Sequence, residues 1–172
     1  MQKVQAGDVD KLGLLYQRYK KTLFAYFYRL TNIAATSEDL VQNVFQRILL
    51  YHKQFRNDGK FTSWMYSIAH NVFIDYLRKK KRIEYSDDLT QWDLPDDNDL
   101  DENILKKEQQ NILRNAINQL SQEQRETLIL SRFHDLKYRE IADILNVSEG
   151  TIKVRIFRAM NNLKKIYSKM EN

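Results

Sequence analysis

The chain of 172 residues carries 28 Lys and Arg against 23 Asp and Glu, a net charge of +5, and 42 % of it is hydrophobic. This balance suits one ordinary domain or two small ones and excludes a disordered polyelectrolyte. Four glycines, one proline and no cysteine favour long helices and exclude disulfides and thiolate metal sites, and no run of about 18 apolar residues is present to cross a bilayer.

In chain order, the first residues, Met-Gln-Lys-Val-Gln-Ala-Gly, lack the apolar core of a signal peptide, so a cytoplasmic location is expected. Residues 1–82 are expected to form a first helical domain, with helical patterns over 9–30, 38–51 and 62–81. Thr36, Ser37, Glu38 and Asp39 supply capping groups and early negative charge, the signature of a helix start. Beyond them Leu40, Val41, Val44, Phe45 and Ile48 make one apolar face. Asp39, Gln42, Asn43 and Gln46 stay outside as a polar stripe, which is either inert surface or a docking face for a protein.

The turn signal Arg56-Asn-Asp-Gly-Lys60 precedes the third helix. Its expected core stripe is Trp64, Met65, Ile68, Val72 and Tyr76. Beside it runs a polar and basic stripe of Ser67, Asn71, Asp75, Arg78 and Arg82, ending in the basic run Arg78-Lys79-Lys80-Lys81-Arg82. Aromatic residues are dense here, at Phe61, Trp64, Tyr66, Phe73 and Tyr76. They serve as core, or with the cations they hold unstacked bases of a single strand; periodicity does not choose.

Residues 83–104 hold nine acidic side chains, no basic ones and the sole proline, Pro95, so their charge is −9 and the remainder of the chain carries +14. They read as an acidic flexible linker between two basic domains. Such a segment is either a plain solvated loop, or one that avoids DNA or occupies a basic channel on a partner.

The second domain is expected over residues 105–172, with a helix-turn-helix at 138–160. Ile141, Ala142, Ile144 and Leu145 form the apolar side of its first helix. Asn146 suits the left-handed residue that ends a helix, Val147 plugs the turn, and Ser148 is a good N-cap for the next helix, with Glu149 at its positive end. In the second helix Ile152, Ile156, Ala159 and Leu163 recur at steps of four, three and four, which makes one buried face. Lys153, Val154, Phe157 and Arg158 lie opposite, with Thr151 and Arg155 flanking. Apolar groups between cations are unusual on a solvated face. They suit a face that enters a major groove, where Arg or Lys reads guanine and apolar atoms touch a thymine methyl.

Three segments carry a family resemblance. Glu38-Asp-Leu-Val-Gln-Asn-Val-Phe45, then Phe61-Thr-Ser-Trp-Met-Tyr-Ser-Ile-Ala-His-Asn71 with Asp75 and Arg78, then the helix-turn-helix, resemble bacterial sigma factors of the sigma-70 superfamily in this order and spacing. The short two-domain form is similar to the extracytoplasmic-function (ECF) group. Leu120-Ser-Gln-Glu-Gln-Arg-Glu-Thr-Leu128 resembles the start of that family's C-terminal domain.

The resemblance implies an all-α protein of two small helical domains, with no catalytic activity, cofactor or metal. It implies docking of Asp39, Gln42, Asn43 and Gln46 on core RNA polymerase, although the family usually has a glutamate where Asn43 stands. Lys60, Phe61, Asn71, Arg78, Lys79, Lys80, Lys81 and Arg82 would meet the minus-10 element as single strand, with Asn71 near the pocket for an extruded base. Thr151, Lys153, Val154, Arg155, Phe157 and Arg158 would read the minus-35 element as duplex; a small polar residue is common where Val154 stands. The linker would thread toward the polymerase's RNA exit path, and an anti-sigma factor is a further implied partner. Two other classes fit parts of the chain. A stand-alone helix-turn-helix regulator accounts for the second half and leaves the first 80 or so residues unexplained. A nucleic-acid enzyme finds little support, because His52, His70 and His134 are scattered and no phosphate-cradling glycine loop is present.

Overall fold

The computed structural model of the protein describes residues 1, 4, 8–56, 60–84 and 104–170. The regular elements among them are all helical: α1 (Leu12–Thr31), α2 (Ala34–Tyr51), α3 (Phe61–Glu84), α4 (Ile104–Asn118), α5 (Gln122–Arg132), α6 (Tyr138–Leu145) and α7 (Glu149–Met170), with 3₁₀ turns at Val9–Lys11 and His52–Gln54. The chain divides into two compact units, Met1–Pro95 and Asp96–Asn172. Most of the acidic linker, residues 85–103, lies outside the described residues.

In the first unit α1 buries Leu23, Tyr26, Phe27 and Leu30, steps of three, one and three that share a helix face. Asn32 ends it in the left-handed conformation (φ 57°) and donates its N–H to the Tyr28 carbonyl at 2.8 Å; asparagine is one of the few residues that takes this conformation at small cost.

The next helix starts earlier than the sequence suggests. Residues 36–39 are not its cap: α2 begins at Ala34, behind an extended Ile33. The reason lies in the corner between the helices. The Thr31 hydroxyl accepts from the Ile33 N–H at 3.2 Å, which satisfies that donor without a conventional cap. Ser37 then falls inside the helix and is fully buried, donating to the Ile33 carbonyl at 2.7 Å and meeting Thr31 Oγ1 at 2.9 Å. A hydroxyl that looks like a cap in sequence thus closes a tight two-residue corner.

Leu40, Val41, Val44, Phe45 and Ile48 form the buried face of α2, and Met65, Ile68, Ala69, Val72 and Phe73 that of α3. Each Val, Leu, Ile, Met or Phe side chain among them contributes roughly 1.5–3 kcal/mol when fully buried. The buried face of α3 is wider than the expected stripe and shifted from it, for Trp64 and Tyr76 are only half-buried while Tyr66 and Phe73 are buried. The cause is that α3 meets two helices. Tyr66 packs edge-on against Tyr26 of α1, ring centroids 5.5 Å apart, and another side of α3 contacts α2.

The second unit is built around α7, which α4, α5 and α6 all contact. Ser121 caps α5, its hydroxyl accepting from the Gln124 N–H at 3.4 Å. Leu120, Leu128 and Ala159 form one buried cluster, against which Leu163 and Ile166 of α7 pack. Among the side chains of α4 that are described, Ala116 and Ile117 near its end are buried.

Candidate functional site

The helix-turn-helix is α6, a turn, and the first half of α7. Glu140 accepts from the Lys137 N–H at 2.9 Å, which fixes the start of α6. Ile141, Ala142, Ile144 and Leu145 are buried. Asn146 takes the left-handed conformation with φ 52°, and its neighbour Val147 donates its N–H to the Ala142 carbonyl at 3.0 Å. Ser148 Oγ accepts from the Thr151 N–H at 3.1 Å and meets the Thr151 hydroxyl at 2.8 Å. The turn therefore closes on itself at both helix ends, and the second helix leaves it in a fixed direction.

On that helix Ile152, Ile156 and Ala159 are buried. The opposite side presents Val154 and Phe157, 47 % and 68 % exposed, between the exposed Lys153 and Arg158. The exposed side of the helix is thus an apolar pair flanked by two cations. The flanking groups are occupied locally. Thr151 belongs to the cap. Lys153 pairs with Glu149 one turn back at 3.0 Å, and Arg155, only 21 % exposed, reaches Glu123 of α5 at 3.0 Å. The Arg155 pairing joins residues 32 apart in sequence, which no local pattern signals.

In the first unit Asp39, Gln42, Asn43 and Gln46 are all exposed along α2. Arg47, beside them, crosses to α3 and binds Asp75 at 2.7 Å, while Arg78 stands 3.5 Å from the other Asp75 oxygen. Helical spacing puts Asp75 and Arg78 on one stripe and gives no sign of Arg47, which lies in a different helix. Asn71, Arg78, Lys79, Lys81 and Arg82 are exposed and Lys80 is half-buried. Lys60 is exposed, and its carbonyl accepts from the Trp64 N–H at 3.2 Å at the start of α3.

Phe61 is half-buried in an aromatic cluster with Tyr19, Phe55 and Trp64, at centroid distances of 5.3, 6.1 and 6.2 Å. Aromatic groups at such distances attract one another beyond their burial. The cluster holds the Lys60 end of α3 in place, while the basic residues lie at its other end. Among the described residues, no group of His, Asp and Glu could hold a metal ion, and no helix is long and apolar enough to cross a membrane.

These features define a class: a basic, all-helical protein whose second unit is a helix-turn-helix DNA reader. Comparison with known proteins is more specific. The model of sigma-70 region 2 matches residues 15–83, and that of sigma-70 region 4 matches residues 110–163. The ECF RNA polymerase sigma factor SigM of Bacillus subtilis is 30 % identical over 92 % of this chain and 96 % of its own. SigW of the same organism is 31 % identical over 96 % of this chain and 93 % of its own. The fold is that of the sigma factor RpoE solved with the anti-sigma factor NepR from Bartonella quintana, with a TM-score of 0.74 and 23 % identity over 91 % of this chain and 96 % of that one. The chain belongs to the ECF RNA polymerase sigma factors of the sigma-70 family, which are non-enzymatic transcription initiation factors.

Proposed function

We propose that this sigma factor grips a promoter at two places while carried by core RNA polymerase. Residues 1–82 serve as the polymerase-docking and minus-10 domain, 83–104 as the linker, and 105–172 as the minus-35 domain. The observation that carries this reading is the exposed Val154–Phe157 pair, set between Lys153 and Arg158 on the second helix of a helix-turn-helix. On that face Arg158 pairs with guanine, Val154 and Phe157 touch thymine methyls, and Lys153 meets a base or phosphate, with Thr151 and Arg155 at the edges.

Asp39, Gln42, Asn43 and Gln46 dock on the polymerase. Lys60, Phe61 and Asn71 shape the site for the unpaired minus-10 strand, and Arg78, Lys79, Lys80, Lys81 and Arg82 hold its phosphates. Extruding a base costs a few kcal/mol, so cations close to the strand help offset the opening. An anti-sigma factor is a further partner; RpoE and CnrH, two solved proteins of this fold, were captured with NepR and with the cytosolic domain of CnrY. A protein that acts on promoters in this way works in the cytoplasm.

Run-off transcription on fragmented genomic DNA, with core polymerase from the source organism and with or without this chain, tests the reading. New discrete transcripts sharing two upstream elements support it. Tight duplex binding with no core binding and no transcripts would instead mean a stand-alone regulator. Arg158→Ala is expected to relax or alter minus-35 preference by about 1–3 kcal/mol, and unchanged preference in a promoter-variant series would remove that assignment.

A further inference from the structure

Asp75 is a carboxylate on a surface that the proposed function assigns to DNA phosphates. It lies on the stripe of Asn71, Arg78 and Arg82 and is 48 % exposed. Left alone it would repel a phosphate backbone and would draw in Arg78, three residues further along the same helix. The structure supplies a different counter-charge. Arg47 Nη2 of α2 sits 2.7 Å from Asp75 Oδ2, a close charge-assisted hydrogen bond. Arg78 Nη1 is 3.5 Å from the other oxygen, beyond such a bond. The exposures follow the same order, with Arg47 at 34 % and Arg78 at 77 %. The inner arginine satisfies the carboxylate, and the outer one keeps most of its charge toward solvent.

We propose that Arg47 is a positioning residue for promoter binding: from α2 it neutralises Asp75 on α3, and so leaves Arg78 available to the phosphates of the unpaired strand. This rests on the assignment of the α3 stripe to the minus-10 strand. Charge counting then orders the variants. Arg47, Asp75 and Arg78 together carry one net positive charge. Arg47→Ala removes it, Asp75→Asn adds one, and the double variant restores the original count. The order expected for binding is Asp75→Asn at or above the parent, the double variant near the parent, and Arg47→Ala below both.

The test uses the full chain assembled with core polymerase, titrated with a short fluorescent single-stranded DNA pool of random sequence, against core alone as baseline. Core affinity is measured in parallel. Arg47→Ala is expected to weaken strand binding about three- to tenfold at low salt and to lower the magnitude of the log–log salt slope by about 0.7, the share of one phosphate contact on a single strand. Adding Asp75→Asn should recover both, which a merely structural role for the bridge does not predict, since the double variant still lacks the bridge. Three results overturn the proposal: Arg47→Ala binding like the parent, Asp75→Asn alone losing as much as Arg47→Ala, or a loss of core or strand affinity in Arg47→Ala that Asp75→Asn fails to recover. If the parent holoenzyme binds the pool no better than core alone, it is the assignment of the stripe to single-stranded DNA that fails instead.

Discussion

The guanidinium of Arg125 donates to the carbonyl of Asn118, the last residue of α4, and to that of Leu120 in the turn after it. The Asn118 carbonyl is one that a helix end leaves without an intrahelical partner, so one side chain of α5 ties down the end of α4 and the connection that follows. Burial lowers the arginine's pKa from its ordinary value, but the group stays charged at neutral pH. Arg125→Ala should therefore cost about 1.5–3 kcal/mol, the range for hydrogen bonds to a charged group, seen as a lower urea midpoint for the full chain. Tyr66 is a second single-residue case. Burial pushes its phenol well above the ordinary value of 10, with Arg29 opposing and Tyr19 adding a smaller upward push. A raised pKa means the fold prefers the neutral phenol, so its stabilisation is complete below pH 10 and is lost as pH climbs beyond it. Tyr66→Phe should flatten the fall in melting temperature above pH 10 relative to the parent, and an unchanged alkaline slope would contradict this.

At the scale of the element, α7 separates two tasks on opposite sides of one helix. Ile152 is fully buried, while Phe157 on the other side is 68 % exposed. Ile152→Ala is expected to cost about 2–5 kcal/mol of stability through transfer and cavity terms. Phe157→Ala should leave the melting temperature within a degree or two, since it empties no core, yet weaken minus-35 duplex binding in an electrophoretic mobility assay of the holoenzyme. A Phe157 variant that melts early and binds normally would reverse this division. The buried side and the presented side of α7 were both legible in sequence, because a strict period of steps three and four survives any packing partner. The start of α2 was not legible, because a corner held by Thr31 and Ser37 uses the same residue types as a cap.

At the scale of the whole molecule, the chain divides into two compact units and concentrates its acidic charge in residues 83–104. Under the proposed function each unit binds one promoter element, and joining them in one chain makes the second contact intramolecular once the first has formed. Cutting the folded chain at a protease site inserted between residues 84 and 104 should therefore reduce promoter-specific transcription by about 10²-fold or more at equal protein concentration. Each piece would still keep its own contacts. Transcription that survives cleavage undiminished would show that the linkage between the units contributes nothing.

Sequence by itself determined the helical class, the acidic segment, the buried faces of α2 and α7, and the residues exposed on the second helix of the helix-turn-helix. All of these are local, since periodicity, capping chemistry and charge along the chain need no knowledge of what packs where. Tertiary structure alone decided which distant groups meet. It paired Arg47 with Asp75 across two helices and Arg155 with Glu123 across 32 residues, and it placed Phe61 among Tyr19, Phe55 and Trp64. The physical reason is that an ion pair or a ring contact depends on how helices cross. A pattern of side chains along one helix states which face is buried, but not which partner buries it.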